Sequence, residues 1–180
     1  MKTLLIILAF FNPLGLPWGV NLNDSFREVE GFNYFYGDAN YGKLVFTGWT
    51  LELETQLVVE TSGRRITEAT LIFGPSGIGD NCISRYKFIS ELLDSKYGTN
   101  KLKETFTDPQ VYDLLFYSKC HPVRVGLQEY WATWTVKDFK IELGMFSEDD
   151  KDIFIQINYR YLPLWKGAQD KKRNKLLRKL

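Results

Sequence analysis

The stretch that decides the fold covers residues 79–98, GDNCISRYKFISELLDSKYG. Its apolar residues recur at three- and four-residue steps, which places them on one stripe of a helix. These residues are Ile83, Tyr86, Ile89, Leu92 and Leu93. Asp80 or Asn81 can cap the first turn, and Gly98 can end the helix in a left-handed conformation. The pattern predicts a helix over residues 80–97 whose apolar stripe must cover another surface.

Sequence on both sides of this helix has the character of β-strands. Aromatic residues make up 16% of the chain, which favours strands. The predicted strands cover residues 26–36, 43–50, 51–60, 66–73, 122–136, 139–146 and 153–162. The last is the clearest, because Ile153, Ile155 and Ile157 alternate with other residues. Strands grouped before and after a helix predict an α+β fold with a largely antiparallel sheet of six to seven strands.

Three connecting segments complete this prediction. Residues 98–107 are expected to form a polar loop. Asp108 followed by Pro109 is typical of a helix start, so a short second helix is expected over residues 109–119. The acidic segment 147–152, SEDDKD, is expected to form a solvated hairpin turn, since it lacks the spacing of an EF-hand calcium loop.

The first residues have the features of a secretory signal peptide. Lys2 precedes an apolar run at residues 4–11, and Pro13 and Pro17 follow it. The run is much shorter than the roughly 20 residues of a membrane span, which favours a cleaved leader over a retained anchor. We therefore predict a leader over residues 1–19 and a secreted or periplasmic protein. No A-x-A motif fixes the cleavage site.

Export changes the interpretation of the two cysteines. In an oxidising compartment, Cys82 and Cys120 within one small domain indicate a disulfide. Two buried free thiols are the alternative. A disulfide would also remove the pairing of Cys120 with the adjacent His121 as a nucleophile and its base.

Charge is unevenly distributed along the chain. Residues 166–180 carry seven Lys or Arg and one Asp, whereas the net charge of the whole chain is +1. We therefore expect one slightly acidic domain over residues 20–165 and a basic C-terminal tail over residues 166–180. A nucleic-acid-binding domain would carry its positive charge on the folded surface, so no nucleic-acid partner is predicted. A weak contact of the basic tail with an anionic membrane is retained as an alternative.

The motifs that carry cofactor or metal chemistry are incomplete. Residues 74–79, GPSGIG, lie between a predicted strand and a predicted helix, where backbone N–H groups can hold a phosphate. They lack the Gly-Lys-Ser/Thr ending of a P-loop and the third glycine of a dinucleotide fingerprint. One histidine and two cysteines are too few for an ordinary zinc site. We predict no cofactor and no metal.

Two sets of residues remain as candidates for function. Tyr130, Trp131 and Trp134 crowd one predicted strand, and an exposed aromatic there suits a protein, glycan or lipid partner. The alternative is a hydrolase-like enzyme that uses carboxylates, and its candidates are Glu52, Glu54 and Asp80. We prefer the prediction of a non-enzymatic binding or interaction module, because the sequence contains no recognisable set of catalytic residues.

One sequence pattern also resembles a known class of domain. It consists of a helix ending Lys96-Tyr97-Gly98, then Trp134, Ile141-x-Leu143 and Ile155-x-Ile157-x-Tyr159. Over residues 66–161 it resembles small exported bacterial domains of unknown function. The resemblance implies export and an α+β fold. It implies no activity, and no binding or catalytic residue is carried over from it.

Overall fold

Eight strands form one antiparallel sheet in the computed structural model of the protein, which describes residues 12–24, 26–74, 81–99, 102–107, 119–147 and 152–177. The strands are β1 (Phe32–Asp38), β2 (Lys43–Thr50), β3 (Leu53–Ser62), β4 (Arg65–Phe73), β5 (Leu102–Thr107), β6 (Gln128–Val136), β7 (Phe139–Ser147) and β8 (Ile153–Tyr161). The helices are α1 (Cys82–Tyr97), α2 (His121–Arg124) and α3 (Leu162–Leu177). The strand order is β1-β2-β3-β4-β8-β7-β6-β5, so two four-stranded meanders meet where β4 pairs with β8.

One face of the sheet, the core face, is apolar because side chains alternate along each strand. On β8 the buried residues Ile155 and Ile157 point to this face. They lie opposite Phe73 and Leu71 of β4, which are also buried. The alternation predicted for the last strand is therefore confirmed.

Helix α1 covers the core face over β6 and β8. The ring of Tyr86 lies 5.5 Å from that of Tyr130 on β6, and the ring of Tyr97 lies 6.4 Å from that of Tyr159 on β8. Gly98 ends the helix with a φ of +85°, and its N–H donates to the carbonyl oxygen of Asp94. The predicted helix and its end at Gly98 are confirmed, but the ψ of 168° places Gly98 outside the left-handed helical conformation that was expected.

Two details of this helix differ from the prediction. It begins at Cys82, and the side chain of Asn81, at the N-cap position, makes no capping hydrogen bond. Asp80 lies outside the described residues. Leu92 was assigned to the apolar stripe but is 41% exposed, because the buried stripe runs through Tyr86, Ile89 and Leu93.

A disulfide joins Cys82, at the start of α1, to Cys120, immediately before α2. The two Cα atoms lie 5.9 Å apart, and neither residue is exposed. The predicted bond is confirmed, and it ties the helix to the chain that leads into β6.

Residues 12–24 and 26–31 cover another part of the core face. Leu16 is 1% exposed. The ring of Trp18 meets Phe139 edge-on at 5.1 Å, and Phe26 meets Phe46 at 6.3 Å. The predicted leader, residues 1–19, therefore includes core residues at its end, and a cut at Gly19 would remove Leu16 and Trp18. Residues 1–11 lie outside the described residues.

The C-terminal basic segment continues directly from β8 as helix α3. The part predicted as a tail is thus helical as far as Leu177. The indole nitrogen of Trp165 donates to Glu68 Oε2 at 3.2 Å, and Lys172 pairs with Glu60. Helix α3 therefore lies against one end of the opposite face of the sheet, the second face.

Several predicted boundaries were wrong. The strand count of six to seven was too low, partly because residues 102–107, assigned to a polar loop, form edge strand β5. Leu51 and Glu52 were placed in a strand but form the two-residue turn between β2 and β3, both with positive φ. Residues 121–124 are helical, whereas a strand was predicted from residue 122. The second helix predicted over residues 109–119 and the acidic turn fall almost wholly outside the described residues. No helix in the described ranges combines the length and apolarity that a membrane span requires.

Candidate binding face

The three aromatic candidates on β6 divide between the two faces of the sheet. Tyr130 and Trp134 point to the core face. Trp134 is 1% exposed, and its indole nitrogen donates to Asp94 Oδ1 at 2.9 Å. Burial raises the pKa of both Tyr130 and its neighbour Tyr86 above the ordinary value of a tyrosine. Trp131 alone points to the second face.

Trp131 is held as a fixed, half-buried platform. Its ring stacks on Phe146 at a centroid distance of 5.7 Å and an interplanar angle of 8°. Its indole nitrogen donates to Glu129 Oε2 at 3.0 Å. Across the ladder it lies over Gly144, where an added Cβ would come within 2.4 Å of the ring. Only glycine leaves space for the indole, so the platform depends on this residue.

At one end of the second face, paired charges meet helix α3. Arg160 donates to Glu68 Oε1 at 3.0 Å and also pairs with Glu142, which accepts from Lys140 at 2.5 Å. The guanidinium of Arg160 lies 5.0 Å from the centre of the Trp165 ring. These charges compensate one another beneath the helix, so this end of the face has a structural role.

Further along the strands, the second face changes from ionic to neutral and aromatic. The register places one row of side chains across six strands. The row is Thr47, Gln56, Ile72, Gln156, Gly144 and Trp131. The next row outward pairs Trp49 with Glu54, and Phe154 with Phe146. Together with Glu129, these two rows form what we call the open face.

The open face has an aromatic side chain at each side of a polar centre. Trp49 on β2 is 74% exposed. Between β2 and β6 lie five strand spacings, or about 24 Å, so Trp49 and Trp131 stand far apart on one surface. Next to Trp49 is a shallow depression of about 290 Å³. Its lining includes Thr47, Glu54, Gln56, Ile72 and Phe154.

Charge on the open face is sparse and of one sign. Glu54 and Glu129 are its only ionisable side chains, and none of its residues is basic. The remaining polar groups are the amides of Gln56 and Gln156 and the hydroxyl of Thr47, which both donate and accept hydrogen bonds. Such a surface suits a neutral ligand rich in hydroxyl groups better than an anion.

No protein-family model, curated protein or solved structure matches the chain.

The carboxylates considered for an enzyme lie in different settings. Glu52 is exposed in the turn after β2, and Glu54 is exposed at the edge of the open face. Asp80 lies outside the described residues. Among the residues that the structure describes, no group of three or more His, Cys, Asp or Glu is arranged to hold a metal ion.

Other exposed aromatics gather at the edge strand β1. Tyr34, Phe35 and Tyr36 lie on this strand, and Tyr41, in the turn that follows, is 90% exposed. A bulge between Tyr34 and Tyr36 interrupts the register of β1 with β2. Bulges twist an edge strand away from further pairing, so this edge is a poor template for another strand.

Sequence reasoning missed most of the open face. Phe146, Phe154 and Gln156 were not singled out, although alternation along their strands could have found them. Phe154 and Gln156 interleave with Ile153, Ile155 and Ile157, so they must point away from the core.

Proposed function

We propose that this chain is a non-enzymatic binding module of an oxidising, extracytoplasmic compartment, and that its open face binds a neutral oligosaccharide. The observation that carries the proposal is the pair of aromatic platforms, Trp49 and the Trp131–Phe146 stack, on either side of a row of Gln and Thr side chains. The Cys82–Cys120 disulfide supports the compartment, because such bonds persist where thiols are not kept reduced.

The chemistry of a sugar ring matches this arrangement. A pyranose has a flat face of C–H groups that can lie on an aromatic ring, and its rim of hydroxyl groups both donates and accepts hydrogen bonds. Trp49 offers an exposed ring, Thr47 lies two residues from it on the same strand, and Gln56 lies diagonally across from it on β3. A separation of about 24 Å between Trp49 and Trp131 suits an extended chain of several sugars better than a single one.

The other partner classes fit less well. A lipid tail is usually held in an enclosed apolar cavity, whereas the depression beside Trp49 is shallow and lined partly by Thr47, Glu54 and Gln56. An anionic partner would meet Glu54 and Glu129 without a basic residue on the open face. A neutral, extended, polyhydroxylated ligand meets neither difficulty.

Affinity electrophoresis tests the proposal. The folded protein is run through gels that contain soluble neutral polysaccharides of different backbones, such as glucans, xylan, mannan and a chitin derivative. We expect retardation by at least one of them. Trp49→Ala should weaken the affinity about tenfold, because a lost aromatic contact costs about 1.5 kcal/mol.

Tyr41→Ala is the matched control. Tyr41 is another highly exposed aromatic but lies in the turn after β1 and not on the open face. Its removal should leave the retardation unchanged. The proposal is overturned if no polysaccharide of the panel retards the protein, or if Tyr41→Ala weakens binding as much as Trp49→Ala does.

The exported form tests the compartment. If a leader is removed, the packing of Leu16 and Trp18 requires the cut to fall before Leu16. Mass spectrometry of protein recovered from the culture medium or periplasm should therefore find Leu16 in the mature chain. Recovery of the full-length chain from the cytoplasm alone, with Cys82 and Cys120 reduced, would contradict the assignment to an oxidising compartment.

A further inference from the structure

A second cavity, about as open to solvent as the depression beside Trp49, lies at the other end of the molecule, between the β3–β4 turn and helix α3. Its volume is about 320 Å³. Asn21, Ser62 and Arg65 line one side, and Gly167, Ala168 and Lys171 of α3 line the other. The two sides are held together by the pairing of Lys172 with Glu60, and a backbone bridge joins Asn21 to Arg65 within the first side.

The charges around this cavity are not balanced. Arg65 and Lys171 both line it, and neither forms an ion pair with any residue that the structure describes. The next residue along the chain is paired in each case, since Arg64 meets Asp24 at 2.8 Å and Lys172 meets Glu60. No carboxylate lines the cavity. Two cations therefore face one cavity without an anion.

Neutral residues, two of them with polar side chains, make up the rest of the lining. Ser62 contributes a hydroxyl, and Asn21 contributes an amide. On the helix side, Gly167 and Ala168 are small, and Pro163 and Leu164 add an apolar part to the lining. An anion with several acceptor oxygens can satisfy guanidinium, ammonium, hydroxyl and amide donors together.

We propose that this cavity is a binding site for a phosphate group, separate from the open face. Phosphate offers more acceptor oxygens than a carboxylate and can meet the fork of Arg65 and the point charge of Lys171 together. The group can belong to a free phosphorylated molecule or to the headgroup of an anionic phospholipid. The second source has support in α3 itself, where Leu176 and Leu177 are exposed beyond the basic Lys172 and Arg173.

Gly167 provides a way to close the site without removing charge. An added Cβ at this position meets no atom within 4 Å. In Gly167→Leu the new side chain can therefore occupy the cavity without displacing its neighbours. Leucine also has a higher helix propensity than glycine, so α3 should be at least as stable as before.

Calorimetric titration at low ionic strength is the test, with inorganic phosphate and glycerol 3-phosphate as probes. Both should bind to the wild-type chain. Arg65→Gln with Lys171→Gln should weaken binding about tenfold, since each exposed charge contributes up to about fivefold. Gly167→Leu should abolish binding while the melting temperature stays equal or rises. Arg173→Gln removes a charge from the same helix outside the cavity and should change the affinity less than twofold.

Vesicles distinguish the two sources of phosphate. The same variants are sedimented with phosphatidylglycerol vesicles and with phosphatidylcholine vesicles. Binding to phosphatidylglycerol alone that is lost in Gly167→Leu assigns the site to a headgroup, whereas binding of glycerol 3-phosphate without vesicle binding assigns it to a free molecule. The site is refuted if neither soluble probe binds and vesicle binding is unchanged in Gly167→Leu. It is also refuted if Arg173→Gln weakens phosphate as much as the double variant does.

Discussion

Reduction of the Cys82–Cys120 bond should lower the free energy of unfolding by about 4 kcal/mol. The two cysteines are 38 residues apart, and closing a loop of this length removes entropy from the unfolded chain by that amount on the chain-entropy model. Both residues are fully buried, and a buried thiol behaves as a small apolar group. Reduction should therefore change the free energy of the native state little, and the loss of free energy of unfolding should come mainly from the greater entropy of the unfolded chain.

Urea denaturation of the oxidised and the reduced protein measures this difference. With a slope of about 2 kcal/mol per M, the midpoint should fall by about 2 M on reduction. The control is Cys82→Ala with Cys120→Ala, whose midpoint should not respond to the reductant. A shift below about 0.5 M in the wild-type chain would refute the reasoning, as would an equal shift in the control.

Three further predictions concern the core and the turns. Leu16→Ala should destabilise the protein by about 2–4 kcal/mol in the same urea assay, because the Leu16 side chain is 1% exposed. An unchanged midpoint would show that residues 12–18 are not part of the core. Glu52→Gly should stabilise by about 0.5–1 kcal/mol, because φ is +61° at this position, whereas Glu54→Gly in the extended strand should destabilise. Burial raises the pKa of Tyr159 well above the ordinary value of a tyrosine, and the neighbouring Tyr97 raises it further. The stability that the neutral Tyr159 side chain contributes is therefore complete below pH 10 and is lost as the pH rises above 10 through the raised pKa. Tyr159→Phe should make the alkaline loss of stability shallower in pH-dependent urea melts, and Tyr41→Phe should leave it unaltered.

The parts of the fold that could be predicted are those whose local sequence has a clear pattern of apolar residues. Helix α1 follows from the spacing of Tyr86, Ile89 and Leu93 and from the glycine that ends it. Strand β8 follows from its alternation. By contrast, β5 is a short polar edge strand, LKETFT, that exists through its pairing with β6. Tertiary pairing of this kind overrides local preference, so the local sequence favoured a loop.

The turn at Leu51 and Glu52 was unpredictable for a related reason. Two-residue hairpin turns with positive φ at both positions usually contain Asn or Gly. Here the register of the flanking strands, with Trp49 opposite Glu54, places two unsuited residues in the turn. The pairing of two long strands therefore forces Leu51 and Glu52 into a backbone conformation that is unfavourable for them.

The open face could be predicted only in part. Alternation along a strand tells which residues share a face, and it separates Trp131 from Trp134. It does not tell which strands are neighbours. Because β4 pairs with β8, which follows it by some 80 residues in the chain, Ile72 comes to lie beside Gln156. That non-local pairing joins the two meanders and brings their residues together on the open face.

The most direct test of the open face uses the indole N–H signals of the five tryptophans in a nitrogen–proton correlation spectrum. Two of them, Trp49 and Trp131, lie on the open face, whereas Trp134 lies in the core, Trp18 packs against the core and Trp165 belongs to α3. The oligosaccharide of the retaining polysaccharide is titrated into the folded protein. The account predicts that the signals of Trp49 and Trp131 shift while that of Trp134 stays in place. Unmoved signals from Trp49 and Trp131 at saturating ligand would contradict it.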